Sequence, residues 1–258
     1  MRFSYSRIEC FSKCPYQYKL RYLDKLKTIP DQEASNALYL GTAIHLAFET
    51  GSVQAAIDNY KSNYNIITDL VENECIKLEY FIPKVLELLP EAECEVELLT
   101  DTFVGYIDRL VYLYTDCKGY KHYEIWDYKY CSEASKEKYL VSPQLSLYKA
   151  YFEETHKDSV VDALKYVFIP KINIRQKKDE TTWEFRQRLQ EHLEASEIQV
   201  VSVPYDHNII TQFSTACQQL DIVDNVPKNP TKLCNWCQYQ QYCESNGEID
   251  YMIIREDN

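Results

Sequence analysis

Glycine is scarce in this chain, five among 258 residues, so few places in the backbone demand positive φ. No apolar run is long enough to cross a bilayer. The opening Met1-Arg2-Phe3-Ser4-Tyr5 leads into a polar helix instead of a signal segment, so the expectation is a cytoplasmic protein with no membrane partner. Net positive charge is missing too: 28 Lys and Arg stand against 40 Asp and Glu, a formal charge of -12. That balance argues against a protein that coats nucleic acid indiscriminately, because neutralising phosphates supplies most of such affinity. It leaves room for a local basic groove. Internal repeats and low-complexity segments are absent as well.

What remains is the composition of a soluble globular chain, 45% hydrophobic and 26% charged, long enough for one large domain or two small ones. Its 23 tyrosines supply amphipathic aromatic surface for packing or stacking. Ten cysteines are present, but their distribution is not that of a secreted disulfide framework. Cys10, Cys75, Cys94, Cys117, Cys131 and Cys217 are scattered and read as reduced thiols. Cys14, Cys234, Cys237 and Cys243 need their own account.

The first ninety residues read as helical. Ser6-Arg7-Ile8-Glu9 has capping-box form, so a helix is expected from about Arg7; Pro15 starts a second, running to about Lys25, with Cys14 at the junction. Residues 26–36 read as a loop, followed by helices near 40–49, 53–64 and 66–89. Strands follow over about 92–100, 102–114 and 120–130, in the order of an antiparallel meander. Ser142 and Pro143 read as N-cap and first residue of a helix to about Glu154, which puts Gln144 and Tyr148 on one face. A strand at 163–169, a helix at 181–195, a strand at 197–203 and a helix at 206–223 complete the series. Between them lies the most basic stretch, with Lys171, Arg175, Lys177 and Lys178. It reads either as a solvated loop or as the lining of a phosphate-binding channel.

The chemistry concentrates in two strands, Gly105-Tyr106-Ile107-Asp108-Arg109 and Glu124-Ile125-Trp126-Asp127-Tyr128-Lys129. Side chains two apart on a strand share a face, so Asp127 and Lys129 point the same way, and a neighbouring strand supplies Asp108. Two carboxylates and an ammonium so placed suit a divalent cation and a hydrolytic water; the alternative is a salt-bridged sheet face.

Gly41-Thr42-Ala43-Ile44-His45, Gly105-Tyr106-Ile107-Asp108, Asp127-Tyr128-Lys129 and Gln144-Leu145-Ser146-Leu147-Tyr148, in that order and at those intervals, resemble the PD-(D/E)xK nuclease superfamily, and within it the RecB-type branch. The resemblance implies a restriction-endonuclease-like α/β core, a central mixed sheet flanked by helices, with a helical N-terminal portion and a C-terminal cysteine motif. It implies that Asp108, Asp127 and the backbone carbonyl of Tyr128 hold Mg²⁺ or Mn²⁺, joined by His45. Lys129 would then position or deprotonate the attacking water, while Gln144 and Tyr148 meet the substrate. The boundaries that go with it are 1–90 for the helical region and 91–225 for the nuclease core. Residues 226–258 form the cysteine motif and tail, packed with the N-terminus as one domain.

Cys234-x2-Cys237-x5-Cys243 is a compact thiolate set that leaves a four-ligand site one short. Cys14 is the expected partner and Cys10, one turn earlier, its rival. One early cysteine and a C-terminal trio resemble the iron-sulfur RecB-type nucleases, among them the CRISPR-associated adaptation nucleases and the AddB-type domain, where four cysteines hold a 4Fe-4S cluster. Zinc fits the same thiolates. Joining residue 14 to 234 would restrict a loop of about 220 residues, roughly 5 kcal/mol of unfolded-chain entropy. The implied activity is metal-dependent DNA hydrolysis, most like an exonuclease on single-stranded or fraying ends, with a protein partner in a recombination, repair or CRISPR-type complex. Two alternatives stay open: a non-catalytic DNA-end-binding or scaffold subunit that keeps the fold, and a metal-bearing interaction module.

Overall fold

A computed structural model describes residues 2–221 and 226–254. The last two residues of the helix expected over 206–223, and the last four of the tail, lie outside the described residues. Phe3 pairs in extended form with Phe103, so helix α1 (Tyr5–Lys13) begins immediately after Ser4. Ser4, not Ser6, is therefore the cap: its side chain accepts from the Arg7 amide at 3.3 Å. Cys14, in extended backbone, separates α1 from α2 (Pro15–Tyr18), and a π-helical turn carries the chain on to Leu23. Part of the expected loop over 26–36 is a short strand, β1 (Lys27–Thr28).

Three helices follow, α3 (Ala37–Thr50), α4 (Val53–Lys61) and α5 (Asp69–Leu88), capped by the side chains of Asn36, Ser52 and Thr68. Helix α3 ends on Gly51 at φ 69, a left-handed C-cap where glycine is needed. Its residues Leu40, Ala43, Ile44, Ala47 and Phe48 form one buried stripe. That stripe fixes the rotation of the helix and so the direction of His45.

The sheet is five-stranded, in the order β2 (Glu93–Leu99), β3 (Val104–Thr115), β4 (Lys121–Cys131), β5 (Ser159–Pro170), β6 (Gln199–Val203). Strands β3 and β4 are antiparallel, β4 and β5 parallel, β5 and β6 antiparallel. It is thus the expected mixed sheet. A parallel pair cannot be closed by a hairpin, and here the crossover is α6 (Lys136–Leu140) with α7 (Gln144–Thr155). Pro143 is the cap of α7 and not its first residue: the Ser142 amide closes the preceding turn on the Tyr139 carbonyl, 3.0 Å. Strand β5 starts four residues before the expected Ala163 because it pairs with β4 from Lys121 onward. Ile125, Trp126, Asp127 and Tyr128 are all buried, the mark of a central strand covered on both faces. One cover is the α3–α5 layer with α8 (Thr182–Glu194), whose core includes Trp126, Tyr128 and Val167. The other includes α7, where Tyr123 meets Phe152 edge to face, ring centroids 5.3 Å apart.

The last elements are α9 (Ile209–Asp221), α10 (Gln240–Glu244) and β7 (Ile253–Ile254). The unexpected β7 pairs antiparallel with β1. By contact density the chain forms two compact units. One comprises residues 32–99 and 105–206, with the five-stranded sheet; the other comprises residues 1–31, 100–104 and 207–258.

Candidate functional site

In the sheet-bearing unit Arg109 faces Trp126 across the β3–β4 ladder, so Asp108 and Asp127 are the next residues outward on the two strands. Asp108 is 8% exposed and Asp127 1%. The Tyr128 amide donates to Asp108 Oδ2 at 3.1 Å. From α3, His45 Nδ1 stands 3.7 Å from Asp108 Oδ1 and 3.5 Å from Glu95 Oε1. His45, Glu95 and Asp108 each offer a ligand atom, and the three atoms lie within 4.8 Å of one another.

Asp127 is the most telling member. Lys129 Nζ pairs with its Oδ2 at 2.5 Å, while its buried Oδ1 has no hydrogen-bond partner. A buried carboxylate oxygen left without a partner is costly, and a hard cation with oxygen preference would offset that cost. The donor set therefore fits Mg²⁺ or Mn²⁺. Burial, then the neighbouring Asp127, holds the Asp108 carboxyl well above the usual carboxylate range. For His45 burial alone would lower the pKa; its contact with Glu95, followed by Asp108 and Asp127, outweighs burial and raises it. Burial works against the Lys129 ammonium as well, and Asp127 and Asp108 outweigh it, so Lys129 stays charged.

Gln144 Nε2 donates to the Tyr148 hydroxyl at 3.0 Å, across one turn of α7. Burial raises the Tyr148 pKa, and Asp127, Asp108 and Lys129 all act on its hydroxyl, which places it within electrostatic reach of the centre. The basic segment leaves the sheet at the end of β5: the Lys171 amide bonds the Cys131 carbonyl at 3.0 Å and its ammonium the Ser35 carbonyl at 3.1 Å. The Arg175 carbonyl is held by Arg188 and the Lys177 amide by Glu180, while Lys178 is exposed.

Glu95 escaped sequence reasoning. Within Glu93-Cys94-Glu95-Val96-Glu97 its carboxylate looks like one of a solvated strand face. Its φ of 51 is the missing signal, since a left-handed residue breaks strand alternation and costs about 1–2 kcal/mol.

In the other unit Cys14, Cys234, Cys237 and Cys243 line one cavity of about 750 Å³, and Cys10 is not among its lining residues. Short helical turns carry the trio, the first capped by Thr231. The Thr231 amide points at Cys234 Sγ, 3.4 Å; the Cys237 amide bonds the Cys234 carbonyl, 3.0 Å; the Cys243 amide bonds the Tyr239 carbonyl, 2.8 Å. Tyr239, 1% exposed, anchors the motif by donating to the Leu26 carbonyl at 2.8 Å. Burial raises the Cys237 and Cys243 thiols, and the neighbouring cysteines raise them further. Thiols that oppose one another's ionisation around a cavity suit a cationic metal group, which inverts that preference.

A mixed five-stranded sheet flanked by helices, with two acidic residues and a lysine converging from adjacent strands, defines a restriction-endonuclease-like fold with a candidate divalent-metal centre. The profile of the PD-(D/E)XK nuclease superfamily matches residues 2–244, and the chain belongs to that superfamily. No curated protein matches it. The family implies a metal-dependent nuclease with DNA as substrate. Among the described residues no helix is long and apolar enough to cross a membrane.

Proposed function

We propose that this protein is a DNA exonuclease of the RecB type, hydrolysing phosphodiester bonds at single-stranded or fraying ends with Mg²⁺ or Mn²⁺. The observation that carries the reading is Asp127, a buried carboxylate paired with Lys129 through Oδ2, its Oδ1 without a hydrogen-bond partner, opposite a second carboxylate. Asp108, Asp127, His45 and the Tyr128 carbonyl would hold the cation, with Glu95 within reach of the same place. A bound cation would supply Lewis-acid polarisation of the scissile phosphate and of the attacking water. Lys129, kept protonated by two carboxylates, stabilises negative charge as it grows on the phosphate instead of taking a proton. Gln144 and Tyr148 orient the strand, and Lys171, Arg175, Lys177 and Lys178 attract its phosphates.

In the thiol cavity Cys14, Cys234, Cys237 and Cys243 would hold a 4Fe-4S cluster, with zinc as the competing occupant. Either would act as a structural tie. A cytoplasmic setting and a partner in a recombination, repair or CRISPR-type complex belong to the same reading. The test is an anaerobic preparation assayed on end-labelled single and double strands with each cation. Stepwise shortening that Asp127→Ala abolishes, with unchanged circular dichroism, supports it. End binding without cleavage would favour the non-catalytic alternative. Colour and iron content decide between cluster and zinc.

A further inference from the structure

The chain between β4 and α7 is more than a crossover. Lys129, whose side chain is 16% exposed, has its ammonium 5.4 Å from the centre of the Tyr139 ring and 5.8 Å from that of Tyr166. Both lie inside the range at which a ring face attracts a cation, and the attraction is strongest where water is excluded. The carboxylate of Asp127 and these two rings therefore all lie close to the ammonium. Tyr166 comes from β5, in register with Asp127, and is fully buried. Tyr139 is only half-buried and comes from the five-residue α6, too short to hold its own position.

What holds α6 is Lys136. This lysine is 7% exposed; its ammonium bonds Gln199 Oε1 on β6 at 3.0 Å and Glu133 Oε2 at 2.5 Å, and lies 5.8 Å from the Phe168 ring. Stacked Tyr166 and Phe168 lie tilted to the Tyr139 ring, centroids 6.2 and 6.3 Å away. Lys138, exposed, lies 4.6 Å from the Tyr139 ring centre.

We propose that Tyr139 is a positioning residue: with Tyr166 it forms an aromatic wall that holds the Lys129 ammonium beside the carboxylates, and Lys136 fixes that wall to β6. The ring is what matters, not the hydroxyl. Without it the four-carbon stem of Lys129 gains rotamers that point the ammonium away from the reacting phosphate. The inference rests on the nuclease reading for its kinetic half only.

The test pairs Tyr139→Leu with Tyr139→Phe. In protein labelled with ¹³C at lysine Cε, Lys129 should give an upfield ring-current-shifted methylene signal, assigned by its loss in Lys129→Arg. Tyr139→Leu should move that signal downfield, and Tyr139→Phe should keep it. In the cleavage assay Tyr139→Leu should lower kcat about tenfold, with KM and Mn²⁺ affinity within twofold of the parent; Tyr139→Phe should restore kcat. Lys136→Met should reproduce the Tyr139→Leu shift in milder form. An unshifted Lys129 signal in the parent, or a kcat indifferent to Tyr139→Leu, overturns the proposal. So does equal damage from Leu and Phe. If the parent cleaves nothing with either cation, the nuclease reading falls, while the lysine signal still decides whether the wall exists.

Discussion

The carboxylate centre and the thiol cavity are built on opposite principles. Asp108, Asp127 and Lys129 ride on strands whose register is fixed by ladder hydrogen bonds and by side chains buried on both faces. Their convergence requires no ion; a cation would relieve a charge conflict that the fold already contains. Cys14, Cys234, Cys237 and Cys243 stand on a helix junction and two short turns. There the occupant would add a long-range tie to the Tyr239–Leu26 hydrogen bond and the β1–β7 pair. Removing what each site binds should therefore cost the first its chemistry and the second its architecture.

The sharpest break of that contrast is cysteine replacement. On the proposed reading, Cys237→Ser should lose the metal group of the thiol cavity and destabilise the unit containing residues 207–258, by up to roughly 5 kcal/mol if the tie between residues 14 and 234 is lost. Metal analysis and denaturant unfolding read this directly; a variant that keeps its metal and midpoint would show the cavity is not a binding site. Next comes Asp127→Asn, expected to cut cleavage by at least about a hundredfold while leaving the thermal midpoint within a few degrees. A large fall in both would make Asp127 architectural and erase the distinction.

Cation binding needs Asp108 ionised and His45 neutral, and both pKa values are raised, so protons compete with the metal. Mn²⁺ affinity should rise with pH through the neutral range, by up to about tenfold per unit for each proton displaced. Metal-free stability should run the other way. A raised carboxyl costs stability once pH passes its unfolded value of about 4, and a raised imidazole gives stability below about 6.5 that is lost as pH climbs through its folded value. Manganese titrations followed by electron paramagnetic resonance and pH-dependent melting would test both slopes; a flat affinity would sink the ligand assignment. Smallest is Asn36→Ala, which removes the α3 cap and should cost about 1 kcal/mol with catalysis only slightly affected.

Much of this was legible in the residues, for a physical reason in each case. Period-two alternation put Asp127 and Lys129 on one face, and the resemblance to the superfamily implied the mixed sheet. What stayed hidden depends on contacts far apart in the chain. The Phe3–Phe103 pairing moved the first cap from Ser6 to Ser4, and the turn closing on Tyr139 pushed Pro143 out of its helix. No local pattern announces that Ile253 and Ile254 will pair with a strand at residue 27. Glu95 was hidden by its own neighbours, since three glutamates at alternate positions look alike until one adopts left-handed backbone.

One hydrogen bond gives the centre a gauge of its own. The Tyr128 amide spends its proton on the Asp108 carboxylate, so its resonance should sit downfield while that group is ionised and drift back when it is protonated. A single backbone signal thus becomes a voltmeter for the carboxylate end of the sheet, readable without substrate.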